Sequence, residues 1–400
     1  WPNGEERTQK NTRINKAFVK ALRARVCLNA AGYSQRPDGT PDGSVLRLSA
    51  DPELSKDVLY PIAKQELMDV LNNPAAGHLE PSFETVFRKL CEENQAAGGE
   101  SLWEVPLNEN RGRMAYTFAV QHTEKDQYQQ MGGQGGQVGP TPHFFYDYDI
   151  KDTRRDVTCL PYKWSGNPAK QVFDTGTAVK RWNFGKYRFE WMKRIVANAN
   201  DDGLRKQYMR YAEVLLMLAE INNELEGPSA AAPFLKKIRE RAFVQSDWPQ
   251  KVDAYINALS SKEAMFNAIM DEYALEFAGE MLRKECLIRW NQLGAKMRDS
   301  KVRMAELRDR RDRYADVPAT VYYRYAADGE TLITYGLNRG EFENKSSEYT
   351  GSVEWVGPGK IKDDAIDVLF ANDPDTKQFW PIWQYFLSNS NGMLVNDYGY

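Results

Sequence analysis

Glu272, Glu276 and Glu280 stand at one-turn spacing, with Asp271 beside the first. Paired carboxylates can hydrolyse glycosides, but hydrolytic pairs face each other across a cleft at a set separation. Three on one helical stripe suit ion pairs with the nearby Arg283, Lys284 and Arg289 better than catalysis. The histidines His78, His122 and His143 are scattered and no HExxH occurs, so no metal-ligand spacing is present. Cys27, Cys91, Cys159 and Cys286 form no CxxC pair, which argues against a zinc ribbon or a disulfide-built scaffold and predicts buried thiols. No GxSxG, phosphate loop or dinucleotide fingerprint appears, and the glycines between 132 and 139 lack the following Lys-Ser/Thr of a phosphate cradle. The expectation is a protein that is not an enzyme, with no cofactor and no metal.

A second set of residues suits binding. The run Gln127 to Gly139, QYQQMGGQGGQVG, is poor in apolar side chains and rich in glycine, and reads as a mobile loop. The aromatic cluster HFFYDYD, His143 to Asp149, follows it. Sugars present apolar C–H faces and hydroxyl edges, so rings can stack on the faces while amides bond the edges. Tyr128, Gln129, Gln130, Phe144, Phe145, Tyr146 and Trp164 supply that mixture. Of these, Tyr128, Gln130, Phe145, Tyr146 and Trp164 are the predicted ligand contacts. The plainer reading is that Phe144, Phe145 and Trp164 anchor the loop onto helices. His143 could touch ligand, whereas Trp103, Trp290 and Trp383 are assigned to structure.

The elements that must position these residues are mostly helical. Met209 to Leu225, MRYAEVLLMLAEINNEL, places Tyr211, Val214, Leu215, Met217, Leu218 and Ile221 on one helix face and reads as a central, buried helix. It is too short and too charged to span a bilayer. Gly227-Pro228 stops it, and a second helix capped by Ser229 would complete a helix pair of tetratricopeptide length. Asn11 or Thr12 should cap an earlier helix that ends at Ala31-Gly32. Another helix runs to Leu71 and either starts or kinks at Pro61, and a short one covers Phe83 to Glu93. Ser260 and Glu263 form a capping box for a helix whose buried face includes Met270, Tyr273 and Phe277. Tyr33 to Ser49 reads as a surface loop, Ser101 to Leu107 as a strand, Arg303 to Arg313 as a solvated helix, and the chain beyond Pro318 as loop-like.

A chain of 400 residues can bury a substantial core, and a net charge of −3 gives no general reason to bind nucleic acid or anionic lipid. Four parts are expected: a helical repeat portion over 1–107, an irregular insertion over 108–208, a helical repeat core over 209–300, and a loop-rich C-terminal region over 301–400.

Several ordered segments resemble the SusD/RagB outer-membrane lipoproteins. They are RYAEVLLMLAE (Arg210–Glu220) followed by KKIRERA (Lys236–Ala242), DEYALEFAGEMLRKECLIRW (Asp271–Trp290), and the closing FWPIWQYFLSNSNGMLVNDYGY. AFVKALRARVCLNAA and DTRRD are similar to a repeat helix and a turn of that family. The resemblance implies a mainly α, tetratricopeptide-like superhelix with an irregular insertion and C-terminal region. It also implies a surface lipoprotein of the cell outer membrane that captures oligosaccharide or polysaccharide and hands it to a SusC-like TonB-dependent transporter. The family's signal peptide, lipidated cysteine and first helices have no counterpart here, so the chain is expected to be a C-terminal portion whose lipid anchor lies on a missing segment. A peptide-capturing member of the same family and an α-helical glycoside hydrolase are the alternatives, with an intracellular helical-repeat scaffold as a weaker one.

Overall fold

The computed structural model describes residues 1–94, 96–107, 111–174, 182–198 and 202–400. Asn15 opens α1 (Lys16–Ala30) by accepting a hydrogen bond from the Phe18 amide, so the cap sits later than Asn11 or Thr12. Asn11 is buried instead, donating to the Ala96 carbonyl. Gly32 is needed for space, not for a left-handed turn: a Cβ there would lie 2.5 Å from that of Arg289. The expected loop that follows is a hairpin, β1 (Ser34–Pro37) against β2 (Ser44–Arg47), with the PDGTPDGS turn signals at its tip. α2 (Lys56–Leu71) runs through Pro61, and α3 (Phe83–Cys91) is capped by Ser82.

β3 (Ser101–Val105) leads into short pieces: α4 (Met114–Phe118), α5 (Pro142–Phe145), α6 (Arg155–Thr158), β4 (Cys159–Leu160), β5 (Tyr162–Ser165), β6 (Lys170–Phe173) and β7 (Asn183–Phe184). β5 and β6 form an antiparallel hairpin, and β4 pairs with β7. β8 (Lys206–Arg210) returns antiparallel to β3. Met209 and Arg210 therefore finish a strand, and α7 (Tyr211–Glu226) begins two residues after the apolar run does.

Gly227 ends α7 and precedes α8 (Pro228–Ala242), which has no side-chain cap; Ser229 lies inside it. α9 (Ala254–Asn257) leads to α10 (Lys262–Phe277), capped by Ser261, one residue beyond the expected Ser260. α11 (Arg283–Arg289) and α12 (Leu293–Asp309) follow, and α12 buries Met304 and Leu307 within its charge-dense end. Past Pro318 the chain is not merely loop. Its VYYRY segment lies in β9 (Thr320–Tyr325), the centre of a three-stranded antiparallel sheet between β10 (Leu332–Tyr335) and β11 (Gly351–Glu354). Two short helices, α13 (Asp363–Asp367) and α14 (Gln384–Asn389), end the order.

The architecture is mainly α and tetratricopeptide-like. α1 packs on α2 and α7 on α8, and α2 joins the two pairs by packing on α7. α7 buries every residue from Tyr211 to Asn223, so its neighbours cover both its apolar and its polar faces. A second core joins α12, the three-stranded sheet and the aromatic cluster of α5. A third collects α3, α4 and the segment around Phe189. Among the described residues no helix is long and apolar enough to cross a membrane.

Candidate functional site

The carboxylate stripe is a strut, although only Glu272 and Glu276 lie on α10 and Glu280 stands in the turn after it, so the three do not share one helix as expected. Glu276, 0% exposed, accepts from Arg210 at 2.5 Å and from Arg154 at 3.0 Å, and also from Arg241. Glu272 pairs with Arg154 and Arg239, Glu280 with Arg210 and Lys186, and Glu100 with Arg210 and Arg241. Asp152 adds a fork onto Arg154. Five carboxylates thus meet five cations in one buried network, which satisfies the condition for burying charge. The expected partners Arg283, Lys284 and Arg289 are not the ones used. Arg289 binds Glu220 of α7, and Arg283 donates to the Met270 carbonyl. Burial pushes the Glu276 carboxyl up, but Arg241, Arg210 and Arg154 overcome it and hold the group far below its usual range. A carboxylate locked in this way does not serve as a proton donor near neutral pH.

The glycine- and glutamine-rich run, expected as a mobile loop, is mostly exposed or half-buried but is pinned at a few buried points. Gln129 and Gln134 are buried, and the His122 and Gln134 backbones exchange hydrogen bonds of 2.7 and 2.9 Å. A Cβ on Gly135 would sit 2.3 Å from the Val120 carbonyl oxygen, so only glycine lets the two backbones meet. Thr123 donates to the Trp164 carbonyl and Trp164 to that of Gln121, which ties the loop to β5. His122 is fully buried with Nδ1 2.6 Å from Asp126 Oδ2, and its Nε2 lies 3.9 Å from Glu190. Glu190 also accepts from the Trp164 indole N–H at 3.3 Å. Burial pushes the His122 imidazole pKa down, but Asp126 and Glu190 overcome that and raise it. Asp126 Oδ1 meanwhile accepts from the Tyr128 and Gln129 amides, closing the turn that carries Tyr128.

Tyr128 and Trp164 meet, with ring centroids 5.2 Å apart, and Tyr162 meets Trp164 edge-on at 6.0 Å. Trp164 is 5% exposed and stacked near His122, whereas Tyr128 and Tyr162 are half-buried and Gln130 is exposed. The Gln130 amide is fixed to the Val196 carbonyl. Phe145 and Tyr146 belong elsewhere. Both are buried in the second core, where Phe145 stacks on Trp182 at 4.5 Å and lies under the Arg155 guanidinium. Their ring faces touch protein, so Phe145 acts as the anchor of the plainer reading, and Tyr146, which that reading did not include, is packed in the same way. His143 is buried too, with Nε2 2.7 Å from Ser300 Oγ. Tyr162 was not among the predicted contacts. Its signal was the two-residue strand period that places it on the face of Trp164.

Among the described residues no three or more His, Cys, Asp or Glu side chains converge as a metal site. The four cysteines are free and buried. Trp103 stacks on Phe18 and Trp290 packs on Tyr273, as their structural assignment requires, but Trp383 is 68% exposed and departs from it.

The model of the SusD family matches residues 99–400, and the chain belongs to that family. SusD-like protein P2 of Formosa agariphila is 28% identical over 234 residues, 55% of this chain and 45% of that relative. The chain thus spans under half the length of that curated relative. A SusD homolog from Bacteroides thetaiotaomicron has a similar structure, with a TM-score of 0.64 at 15% identity over 99% of this chain and 66% of the other. Surface glycan-binding protein A from the same species gives a TM-score of 0.53 at 16% identity, over the same shares. At these identities the likeness is one of fold.

Proposed function

We propose that this chain belongs to a non-catalytic surface lipoprotein of the outer membrane that captures oligosaccharides and delivers them to a SusC-like TonB-dependent transporter. Family membership supports the system, and a glycan-binding protein of the same fold supports the ligand class. The observation that carries the ligand reading is the half-buried Tyr128 and Tyr162 pair backed by Trp164, with exposed Gln130 beside it. Stacking surfaces held by a buried hydrogen-bonded frame bind without first paying the cost of ordering themselves. In this reading Tyr128 and Tyr162 meet sugar faces and Gln130 meets hydroxyls. Trp164 backs the rings, and Phe145 and Tyr146 hold the loop to the body.

The test is calorimetric titration of the full-length protein with a panel of oligosaccharides, with chain-length analysis of each mixture. Binding without cleavage is expected. Tyr128→Ala should weaken it roughly two- to tenfold, the order of one aromatic stacking contact, with little change in unfolding midpoint. Shortened products would overturn the non-catalytic reading, and unchanged affinity in both Tyr128→Ala and Tyr162→Ala would move the site elsewhere.

A further inference from the structure

His122, 0% exposed, stands behind the ring platform and touches each part of it. Trp164 of β5 lies nearly parallel to its imidazole with centroids 6.0 Å apart, while Tyr128 and Phe189 meet it edge-on at 6.1 and 5.2 Å. Two carboxylates flank the imidazole from two elements. Asp126, on the same turn, takes Nδ1 at 2.6 Å, and Glu190, from the Phe189–Trp191 turn, stands 3.9 Å from Nε2. The second distance is too long for a hydrogen bond but short enough for strong attraction between buried charges. The same two carboxylates carry the platform. Asp126 Oδ1 accepts from the Tyr128 amide at 2.8 Å, and Glu190 Oε1 accepts from the Trp164 indole at 3.3 Å.

The two nitrogens of the imidazole respond differently to a proton. The Nδ1–H bond to Asp126 exists in the charged ring and in the neutral tautomer that keeps Nδ1–H, so the Tyr128 turn holds in either state. At Nε2 the states oppose each other: a proton there attracts Glu190, whereas a bare lone pair repels it. Burial pushes the Glu190 carboxyl up, and His122 first and Arg188 second bring it below its usual value. Arg188 is committed elsewhere, with Nε on the Gly185 carbonyl and its guanidinium 4.0 Å over Trp191. The Tyr128 phenol is pushed up by burial and stays neutral, and β5 and Phe189 face His122 with uncharged rings.

We propose that His122 is the positioning residue of the ring platform: a proton on its Nε2 holds Glu190 where it bonds the Trp164 indole, and departure of that proton to solvent lets Glu190 and Trp164 part. Tyr128 and Tyr162 both lean on Trp164, so the faces offered to ligand shift with it. The platform is therefore set for binding on the acid side of the His122 titration and loosened on the alkaline side. The Glu190 side chain, 12% exposed, gives the proton its way to water. The effect on binding rests on the oligosaccharide reading of this loop, and the effect on Trp164 does not.

The experiment is NMR on the full chain with isotope-labelled histidine, tryptophan and tyrosine from about pH 5 to about pH 9, which brackets an ordinary imidazole near 6.5. Maltohexaose, cellohexaose, laminarihexaose and xylohexaose are the binding probes, titrated by calorimetry across the same range. One indole N–H resonance, identified by its absence in Trp164→Phe, should shift with the midpoint of His122, while the Tyr128 amide stays still. Affinity for a probe that binds should fall roughly two- to tenfold as pH rises through that midpoint, the order of one aromatic contact. His122→Gln and Glu190→Gln should each flatten both profiles. Glu190→Gln removes the charge but keeps an acceptor for the indole, so it decides the matter even where His122→Gln fails to fold. A merely structural His122 would leave the Trp164 resonance independent of pH. That result, a pH response that survives in Glu190→Gln, or an affinity that stays level while the resonance moves would overturn the proposal. If no probe binds, the oligosaccharide reading falls, and the indole resonance alone decides the role of His122.

Discussion

Arg210 is the last residue of β8 and spends all its donors indoors. Nε and Nη2 reach Glu280, Nη1 reaches Glu100 and Glu276, and Nη2 also bonds the Glu276 carbonyl. Its removal would leave three carboxylates sharing too few cations in the interior, a situation that costs about 3–5 kcal/mol. Arg210→Ala should therefore lower the unfolding free energy measured in urea by that order without altering the slope, whereas Arg88→Ala, an exposed pair with Glu84, should change it little. His122 yields a prediction of opposite pH character. Its folded pKa is raised, so its ion pairing stabilises the fold fully below the unfolded value near 6.5 and fades as pH climbs through the folded value. Asp126 and Glu190 are depressed, so their share is lost only in acid, below the ordinary carboxylate range. Thermal stability should fall as pH is raised above neutrality in the wild type, and this part of the fall should vanish in His122→Gln. An equal pH profile in the two proteins would remove His122 from the explanation.

At the scale of elements, the periodic helices were legible because their signals are local. The apolar rows of α7 and α10 and the stop at Gly227-Pro228 all lie within one or two turns of the structure they cause. What escaped is non-local. β9 reads as loop because its partners start seven and twenty-six residues after it ends. The α10 carboxylates found Arg154, Arg241 and Arg210 in place of their sequence neighbours, because the fold brings distant guanidinia to that stripe. The candidate site was legible as a region and not in detail. Composition marks an aromatic, amide-rich stretch, but cannot say that Phe145 faces Trp182 while Tyr128 stays half in solvent. The glycine run is ambiguous for a related reason: glycine permits motion, and it equally permits close backbone contact. Gly135 settles which applies. At φ +76°, with the Val120 carbonyl where a Cβ would go, Gly135→Ala should cost about 1–3 kcal/mol. Hydrogen exchange should then quicken at the His122 and Gln134 amides, and oligosaccharide affinity should fall with it. Unchanged exchange at those amides would show that the loop does not depend on that contact.

For the whole molecule, stability is distributed unevenly. Three cores hold α1–α3, α7–α12 and the three-stranded sheet, and buried ion pairs such as Arg25–Glu213 and Arg289–Glu220 stitch α1 and α11 onto α7. The final stretch is different. Gln378 is buried and exchanges hydrogen bonds with Gln35 of the β1–β2 hairpin, but beyond it Trp380, Trp383, Tyr385 and Phe386 stand 87%, 68%, 59% and 53% exposed. The bonds that hold this stretch are few and mostly exposed, such as Ile382 to Asn396 and Lys377 to the Gly399 carbonyl. A segment with so little burial opens without the rest of the fold opening, since local opening costs only the contacts it breaks. The Tyr128 loop, although similar in composition to a mobile loop, is bonded to Val196 through the Gln130 amide and to His122 through Gln134, and is expected to open only with its core. Limited chymotrypsin digestion should therefore cut first among residues 380–386 and leave a protected fragment that still contains Tyr128, Tyr162 and Trp164. Mass analysis of the early products decides the matter. First cuts at Tyr128 or Met131 would mean that the loop is the weakest part of this chain, and that its rings are not presented by a rigid frame.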